Sequence, residues 1–331
     1  MPEKLKFNET AVANCLLNNY GIEVVRVVPI DGGADQNALV FKVESRGSIY
    51  FLKQKPSSVD DSALVVQDFL HNQDISEVLS PIKTNDQKLS ASINQSKLVL
   101  YPYIEGFSNA EKPLSEQNWI EFGQTLKKIH SANIPESLQG SIRLETYSTR
   151  FPKDLVRIIS QIHEDSFTDP TTLRMVEFFR LKEEELNKLL LRTDQLCSKF
   201  KAQSRPLVLC HSDIHAGNRF VDKNGGLRII DFDEPIFAPI ERDLMFIGSG
   251  IIRPDTSQEI DLFYRGYGKP DFSLEAIAYY RCQRIIEDIV LYAEDVLYRD
   301  IDVSDKATSL DCLVSNFNSG GPLEFAYQTI K

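Results

Sequence analysis

Short runs of β-branched and aromatic residues recur through the first third of the chain. Three of them are separated by glycine-containing stretches typical of turns: Ile22 to Val28, Ala38 to Val43 and Ile49 to Lys53. This alternation predicts an antiparallel β meander. A helix is predicted next, from about Asp60 to His71, because apolar residues recur there at helical spacing. A further strand is predicted over Leu98 to Tyr101.

The apolar period becomes helical after Ser115, which is a candidate N-cap. Long helical patterns cover residues 172 to 200 and 273 to 298, whereas the segment 207 to 243 alternates short strands with Gly, Asn and Pro. The pattern therefore predicts a mainly helical region with a small β insert. We place the boundary between two lobes after residue 102, giving lobes of residues 1–102 and 103–331.

Composition narrows the function classes. The 331 residues include 37 basic and 48 acidic ones, and the resulting net charge of −11 disfavours a nucleic-acid partner. The chain has no apolar leader after Met1 and no apolar run of about 18 residues, so we expect a cytoplasmic protein without a membrane span. Five scattered cysteines without a C-x-x-C pair predict buried thiols rather than disulfides or a zinc site.

The β insert carries the most informative polar residues. A short apolar strand ending at Cys210 leads into His211, Asp213 and Asn218 with the spacing His-x-Asp-x-x-x-x-Asn. After a predicted tight turn, a second strand delivers Asp231. Pairing of these strands would bring Asn218 and Asp231 together, and their oxygen donors are of the kind that magnesium prefers.

This spacing is typical of the catalytic loop and metal-binding aspartate of protein-kinase-like enzymes. Asp213 is then predicted to accept the proton of a substrate hydroxyl, while Asn218 and Asp231 hold Mg²⁺. His211 is interpreted as a structural residue, and His215 could either face substrate or fill the loop. The alternative is that Asp213 and Asn218 only cap a turn.

Lys53, at the end of the third predicted strand, is the candidate for binding the α and β phosphates of ATP. A kinase lysine of this kind pairs with an acidic residue on the following helix. The candidates here are Asp60 and Asp61, and the sequence does not decide between them.

Two further segments complete the predicted ATP site. The turn that contains Gly32 and Gly33 lies between the first two strands, where its backbone amides can cover phosphates. The segment that contains Tyr101 and Tyr103 is predicted to cross between the lobes, where its backbone can hydrogen-bond an adenine edge.

With these residues in view, the chain resembles the aminoglycoside phosphotransferase family, and within it the branch that acts on spectinomycin. The likeness covers nearly the whole length and is carried by residues 32–35, 209–218, 233–239, 241–248 and 284–289. It implies an α+β, bilobal protein-kinase-like fold, with a small antiparallel β-sheet and one helix in the N-terminal lobe and a large, mainly helical C-terminal lobe. It also implies the same roles for the catalytic, metal-binding and phosphate-binding residues.

The resemblance further implies an acidic acceptor pocket. Four carboxylates are candidates for it: Asp233, Glu234, Glu287 and Asp288. Arg284 lies one helical turn before Asp288 and could instead pair with it on the helix surface. Asp243 is expected to brace the loop. Phe232 and Arg219 depart from the pattern expected of the spectinomycin branch, so the shape of the pocket can differ.

The leading hypothesis is an ATP-dependent kinase for a hydroxyl of a cationic aminocyclitol or aminoglycoside such as spectinomycin. The alternatives are a housekeeping kinase for choline, homoserine, methylthioribose or a sugar, and a nucleotide-binding scaffold without catalysis. Fold alone does not settle the substrate. A protein kinase is disfavoured because no Ala-Pro-Glu segment follows Asp231. The sequence leaves the oligomeric state open.

Overall fold

The structure is a computed structural model that describes residues 7–30, 38–201, 203 and 205–330. Its chain divides into two compact units. One consists of Met1–Arg143 and Gly217–Pro235, and the other of Leu144–Ala216 and Ile236–Lys331. This division differs from the predicted boundary after residue 102, because residues 103–143 and the 217–235 segment pack with the first unit.

The elements are numbered in chain order. The strands are β1 Val24–Pro29, β2 Leu39–Ser45, β3 Ile49–Pro56, β4 Ala91–Ile93, β5 Ser96–Pro102, β6 Gly106–Ser108, β7 Arg143–Leu144, β8 Val208–Cys210, β9 Arg219–Asp222, β10 Leu227–Ile229 and β11 Ile236–Ala238. The helices are α1 Glu9–Tyr20, α2 Ser62–Asn72, α3 Glu116–His130, α4 Glu136–Gln139, α5 Arg150–Glu164, α6 Pro170–Lys201, α7 Glu241–Leu244, α8 Ser257–Tyr267, α9 Leu274–Tyr298, α10 Val303–Ser315 and α11 Pro322–Gln328.

An antiparallel sheet of order β1-β2-β3-β5-β4 organises the first unit. The predicted meander is therefore present, and α2 follows it as expected. Helix α1 lies outside the sequence-based prediction; it begins at an Asn8 cap, and its Val12 and Leu16 pack against the sheet residues Leu52 and Leu98. A second sheet of order β10-β9-β6 completes this unit.

The predicted β insert is divided between the two units. Strands β9 and β10 form the expected antiparallel hairpin, but β9 also pairs with β6 in the first unit. Strands β8 and β11 pair with each other in the second unit. The insert was predicted as one small addition to a helical lobe because sequence periodicity identifies strands but not their partners.

The second unit is mainly helical, as the 3.6-residue period predicts. Its core is formed by α5, α6, α9, α10 and α11, with Leu189, Ile286 and Val290 among the residues fully buried there. The long helices expected at 172–200 and 273–298 correspond to α6 and α9. No helix in the described part of the chain is both long and apolar enough to span a membrane.

Four of the five cysteines are buried, as expected from the sequence. Cys15, Cys197, Cys210 and Cys282 are buried free thiols, and Cys312 is a half-buried one. They act as small apolar residues in the packing, as unpaired buried cysteines generally do.

Gly106 allows β6 to approach β9 closely. A Cβ atom at this position would lie 1.9 Å from the carbonyl oxygen of Val221, which is backbone and cannot rotate away. We therefore predict that Gly106→Ala lowers the free energy of unfolding by about 2 kcal/mol or more, measured by urea denaturation. The matched control is Gly140→Ala, whose Cβ would meet nothing within 4 Å and which has helical backbone angles. Equal stability of the two variants would contradict this account of the sheet.

Candidate active site

The first unit contains a cavity of about 230 Å³. Most of its lining is apolar or aromatic, and it also contains three charged side chains, those of Lys53, Asp231 and Asp233. The predicted tyrosines Tyr101 and Tyr103 both line it. Apolar walls with a few charged groups are typical of a cofactor or nucleotide site.

Two lysines and two aspartates of this unit form one ion-paired cluster. The Nζ atom of Lys53 lies 2.5 Å from Oδ1 of Asp231 and 2.7 Å from Oδ2 of Asp233. The Nζ atom of Lys55 lies 2.7 Å from that same Asp233 oxygen. Both lysines point to one face because side chains two residues apart on a strand lie on the same side. The formal charges of this Lys–Asp cluster cancel.

The cluster is held in a largely buried environment. Burial opposes the charge on Lys53, but the attraction of Asp233 and Asp231 outweighs it and raises the pKa of Lys53. Burial likewise opposes ionisation of Asp233, but Lys53 and Lys55 hold the pKa of Asp233 well below its usual range. Lys53 and Asp233 are therefore both charged at neutral pH.

Helix α2 contacts this region through a neutral side chain. Gln67 is buried, and its Nε2 donates a hydrogen bond of 2.9 Å to the carbonyl oxygen of Phe232. Its Oε1 accepts one of 2.9 Å from the hydroxyl of Tyr101. Gln67 thereby ties α2 to the segment that carries Asp231 and Asp233 and fixes a tyrosine of the cavity wall.

The structure corrects the expected partner of Lys53. Asp60 accepts a hydrogen bond of 2.8 Å from the backbone N–H of Ser62, and Asp61 forms a short ion pair with Lys97. Lys53 is instead paired with Asp231 and Asp233, so neither candidate on the approach to α2 has the expected role. The predicted phosphate-covering glycines, Gly32 and Gly33, lie outside the described residues.

The hairpin brings the predicted magnesium ligands to one end of two paired strands. The backbone N–H of Ile230 donates to the carbonyl oxygen of Asn218 at 3.1 Å, which places Asn218 beside the residue before Asp231. Asp231 has a φ of 62°, in the left-handed region that residues other than glycine seldom adopt. Strain of this kind is concentrated at functional sites.

Arg219 is a packing residue of the first unit. It is almost fully buried, and its guanidinium carbon lies 5.0 Å from the ring centre of Trp119 and 5.4 Å from that of Phe122. These cation–π contacts explain how a charged residue is accommodated directly after Asn218. The arginine noted in the sequence is thus accommodated by the aromatic packing of the first unit.

In the second unit, Asp243 holds the loop that contains Asp213. Its two carboxylate oxygens accept hydrogen bonds from the backbone N–H groups of His211 and Ser212, at 2.8 and 2.7 Å. Ser212 has a φ of 73°, so this bracing holds a strained turn. The N–H of Asp213 donates to Nδ1 of His211 at 3.2 Å, and His211 is fully buried. Both observations support the structural interpretation of His211.

Asp213 is itself part of an ion-paired chain of side chains. Nη1 of Arg284 lies 2.5 Å from Oδ1 of Asp213, and Nε of Arg284 lies 2.9 Å from Oδ1 of Asp288. Nε2 of His215 lies 3.5 Å from Oδ2 of Asp213. Burial opposes ionisation of Asp213, but Arg284 and the two histidines lower its pKa overall. Asp288 behaves differently, because burial raises its pKa to about 6.

The four candidate carboxylates for the acceptor are not equivalent. Asp233 is paired with lysines, Asp288 with Arg284, and the exposed Glu234 with Arg143 at 3.0 Å. Glu287 is half-buried on α9 and forms no ion pair within the described ranges of the chain. Of these four carboxylates, Glu287 is therefore the one that is not engaged in an ion pair among the described residues.

A family model described as the phosphotransferase enzyme family matches residues 26–280, which is more than half of the chain. The chain belongs to this family. As a phosphotransferase it is a kinase that moves phosphate from ATP to a hydroxyl group. No curated protein shows significant similarity to the chain.

Among solved structures, this phosphotransferase is similar to spectinomycin phosphotransferase APH(9)-Ia. The complex of that enzyme with ADP and spectinomycin is 34% identical, covers 98% of this chain and 99% of its own, and superposes with a TM-score of 0.91. The AMP-bound complex is 31% identical, covers 98% and 100%, and has a TM-score of 0.88. An ethanolamine kinase from Plasmodium vivax, 15% identical with a TM-score of 0.57 and coverage of 96% and 92%, shares the fold alone.

Sequence reasoning missed three residues of these networks. Lys55 could have been noticed from its position two residues after Lys53 on the same strand, which puts both on one face. Gln67 carried no such signal, because a glutamine on an amphipathic helix is ordinary. Arg284 was considered only as a partner of Asp288, since its second contact joins residues far apart in sequence.

We predict that Asp233→Asn destabilises the protein, because it leaves two largely buried lysines with one carboxylate between them. Loss of one partner from a buried ion pair typically costs about 3 kcal/mol, and urea denaturation would measure it. Asp86→Asn is the control, since Asp86 pairs with Lys88 on the surface and should leave the stability almost unchanged. A stability of Asp233→Asn equal to that of the control would show that the Lys–Asp cluster is not a stabilising feature.

Proposed function

We propose that this phosphotransferase phosphorylates a hydroxyl group of a cationic aminocyclitol or aminoglycoside, with spectinomycin as the leading acceptor. The observation that carries the proposal is the likeness over 98% of the chain to an enzyme solved with ADP and spectinomycin. The cavity of the first unit and the arrangement around Asp213 supply independent support, because each contains groups suited to one half of the reaction.

The nucleotide half of the reaction is assigned to the cavity of the first unit. Its apolar walls suit a purine ring, and the backbone of the segment that contains Tyr101 and Tyr103 can hydrogen-bond the base. Lys53 is the cation for the α and β phosphates. In this assignment Asp233 holds Lys53 and Lys55 in place rather than binding the acceptor, because both contacts are direct and largely buried.

Magnesium fits the donor set beside this cavity. Asn218 and Asp231 offer an amide oxygen and a carboxylate at one end of the hairpin, and Mg²⁺ prefers oxygen ligands of this kind. We assign these two residues as its ligands. When bound, the ion would neutralise charge on the β and γ phosphate oxygens.

The acceptor half of the reaction is assigned to the loop that Asp243 holds. Asp213 is ionised at neutral pH, because the Arg284 guanidinium lowers its pKa against the effect of burial. As a carboxylate it can orient the acceptor hydroxyl and take its proton while the oxygen attacks the γ phosphorus of ATP. A bond forms between the acceptor oxygen and the γ phosphorus, and the bond from the γ phosphorus to the oxygen of the β phosphate breaks. ADP is then the leaving group.

We predict that Asp213→Asn lowers turnover by about a hundredfold or more, because the amide cannot accept the proton. The affinity for ADP, measured by calorimetric titration, should stay near that of the wild type, since the substitution leaves the nucleotide cavity intact. Turnover of a folded Asp213→Asn variant at the wild-type level would remove Asp213 from the mechanism.

We predict that the enzyme transfers phosphate to spectinomycin in preference to kanamycin, choline and homoserine under identical conditions. Glu287 should contribute through its charge, so Glu287→Gln is expected to raise the KM for the cationic acceptor about tenfold, the effect of losing one charge-assisted hydrogen bond, with little change in the KM for ATP. Product formation with each acceptor would be followed by mass spectrometry and by ADP release.

The control for Glu287 is Glu275→Gln, in the exposed first turn of the same helix, where the side chain pairs with Lys199 at 3.5 Å. It should leave both Michaelis constants unchanged. Activity confined to homoserine or to a neutral sugar would reject the cationic acceptor while leaving the phosphotransferase assignment in place.

A further inference from the structure

Arg284 connects two carboxylates of the second unit that have different positions in the fold. Asp213 belongs to the loop after β8. Asp288 lies on α9, one helical turn after Arg284. The guanidinium uses Nη1 for the first and Nε for the second, at 2.5 and 2.9 Å. Its carbon also lies 5.9 Å from the ring centre of Phe246, so a third side chain restricts its orientation.

We propose that Arg284 is a positioning residue for phosphate transfer, which anchors Asp213 through Oδ1 and keeps it ionised, and that Asp288 in turn holds Arg284. The proposal rests on the function proposed above for Asp213. It assigns a role in the reaction to an arginine that the sequence pattern presents only as a helix-surface partner of Asp288.

The charge balance around Asp213 supports this role. Three carboxylates lie in this region, those of Asp213, Asp288 and Glu287. Arg284 forms ion pairs with two of them, Asp213 and Asp288. Neutralising Arg284 would leave these groups to repel one another in a partly buried place, and repulsion between carboxylates favours protonation. A protonated Asp213 cannot accept the hydroxyl proton.

The geometry also requires arginine in particular. A planar guanidinium can donate from Nη1 and Nε at once in fixed directions, whereas an ammonium is a single point of charge on a flexible stem. The side chain is largely buried, with 19% of its surface exposed, so solvent screens the contact to Asp213 only weakly. An i,i+4 pair with Asp288 alone would stabilise the helix surface but would have no bearing on Asp213.

The proposal predicts in which direction the pH profile of activity moves when the charge of Arg284 is removed. Among the described residues, the charged and titratable groups that act on Asp213 include Arg284, His215, His211 and Asp288, and Asp288 and Glu287 of α9 also act on Arg284. Arg284 lowers the pKa of Asp213, so removing its charge should raise that pKa. Activity needs the carboxylate, and the acid limb of the kcat/KM profile should therefore move to higher pH.

The kinetic test uses Arg284→Gln and Arg284→Lys with the control Arg157→Gln. Arg157 pairs with Glu294 at 3.2 Å on the exposed side of the same unit. We expect Arg284→Gln to lower kcat by about tenfold or more, to move the acid limb up by about one pH unit, and to leave the KM for ATP within about twofold. In Arg284→Lys the acid limb should return most of the way to its wild-type pH, because the charge is kept. Its kcat should recover less, because lysine cannot donate from two fixed positions as the guanidinium does.

A second measurement does not depend on any acceptor. Carboxyl ¹³C NMR of protein labelled at its aspartates would report the pKa of Asp213 in each variant. The Asp213 signal would be assigned as the one that is missing from the spectrum of Asp213→Asn. An Asp213 pKa that is the same in wild type and Arg284→Gln would overturn the proposal, as would a kinetic profile of Arg284→Gln that matches Arg157→Gln.

The outcomes separate this proposal from the proposed function. If the wild-type enzyme phosphorylates none of the acceptors, the proposed function fails, and the NMR titration still decides whether Arg284 controls Asp213. If Arg284→Gln does not fold, as judged by its thermal unfolding, the comparison of Arg284→Lys with the wild type in kcat and in Asp213 pKa decides the matter. A lysine variant with wild-type kcat would reject the positioning role.

Discussion

The requirement that a buried charge has an opposite charge beside it governs the Lys–Asp cluster of the first unit. Lys53 and Lys55 come from one strand, and Asp231 and Asp233 follow the β9–β10 hairpin. None of these four could be buried alone without a large cost in free energy, so the strand and the hairpin must both be in register for the Lys–Asp cluster to form. Gln67 adds a neutral link from α2, which steadies the same segment without adding charge.

The second unit meets the same requirement with arginine. Asp213 is ionised because Arg284 lies against it, and Arg284 is held by Asp288. In the mechanism we propose, the arrangement keeps Asp213 in the protonation state that proton transfer needs, but it also makes Asp213 a weaker base than an isolated carboxylate. Orientation and a constant charge state thus take precedence over basicity, which suits a reaction in which positioning supplies most of the acceleration.

Local pattern and spacing predicted much of this structure. The meander, the hairpin that joins Asn218 to the Asp231 strand, and helices α3, α6 and α9 follow from periodicity and turn residues. The partner of Lys53 could not be predicted in the same way, because the ion pairs with Asp231 and Asp233 connect residues about 180 positions apart. The expectation of an acidic partner near α2 came from the usual kinase arrangement, whereas Lys53 in this structure pairs with Asp231 and Asp233. The pairing of Asp233 with two lysines could not be predicted either, since a carboxylate looks alike in sequence whether it faces a lysine or solvent.

These ion pairs also change what the acidic composition means. The net charge of −11 is a property of the whole chain, and three of the four carboxylates expected at the acceptor already have a basic partner. If the acceptor is the cation we propose, selectivity for it would come from few groups, with Glu287 first among them. One charge-assisted hydrogen bond contributes about 1.5 to 3 kcal/mol, which corresponds to a preference of about ten- to a hundredfold over a neutral acceptor. A larger preference would require shape as well as charge, and the depth and lining of the pocket would then matter more than the number of its acidic residues.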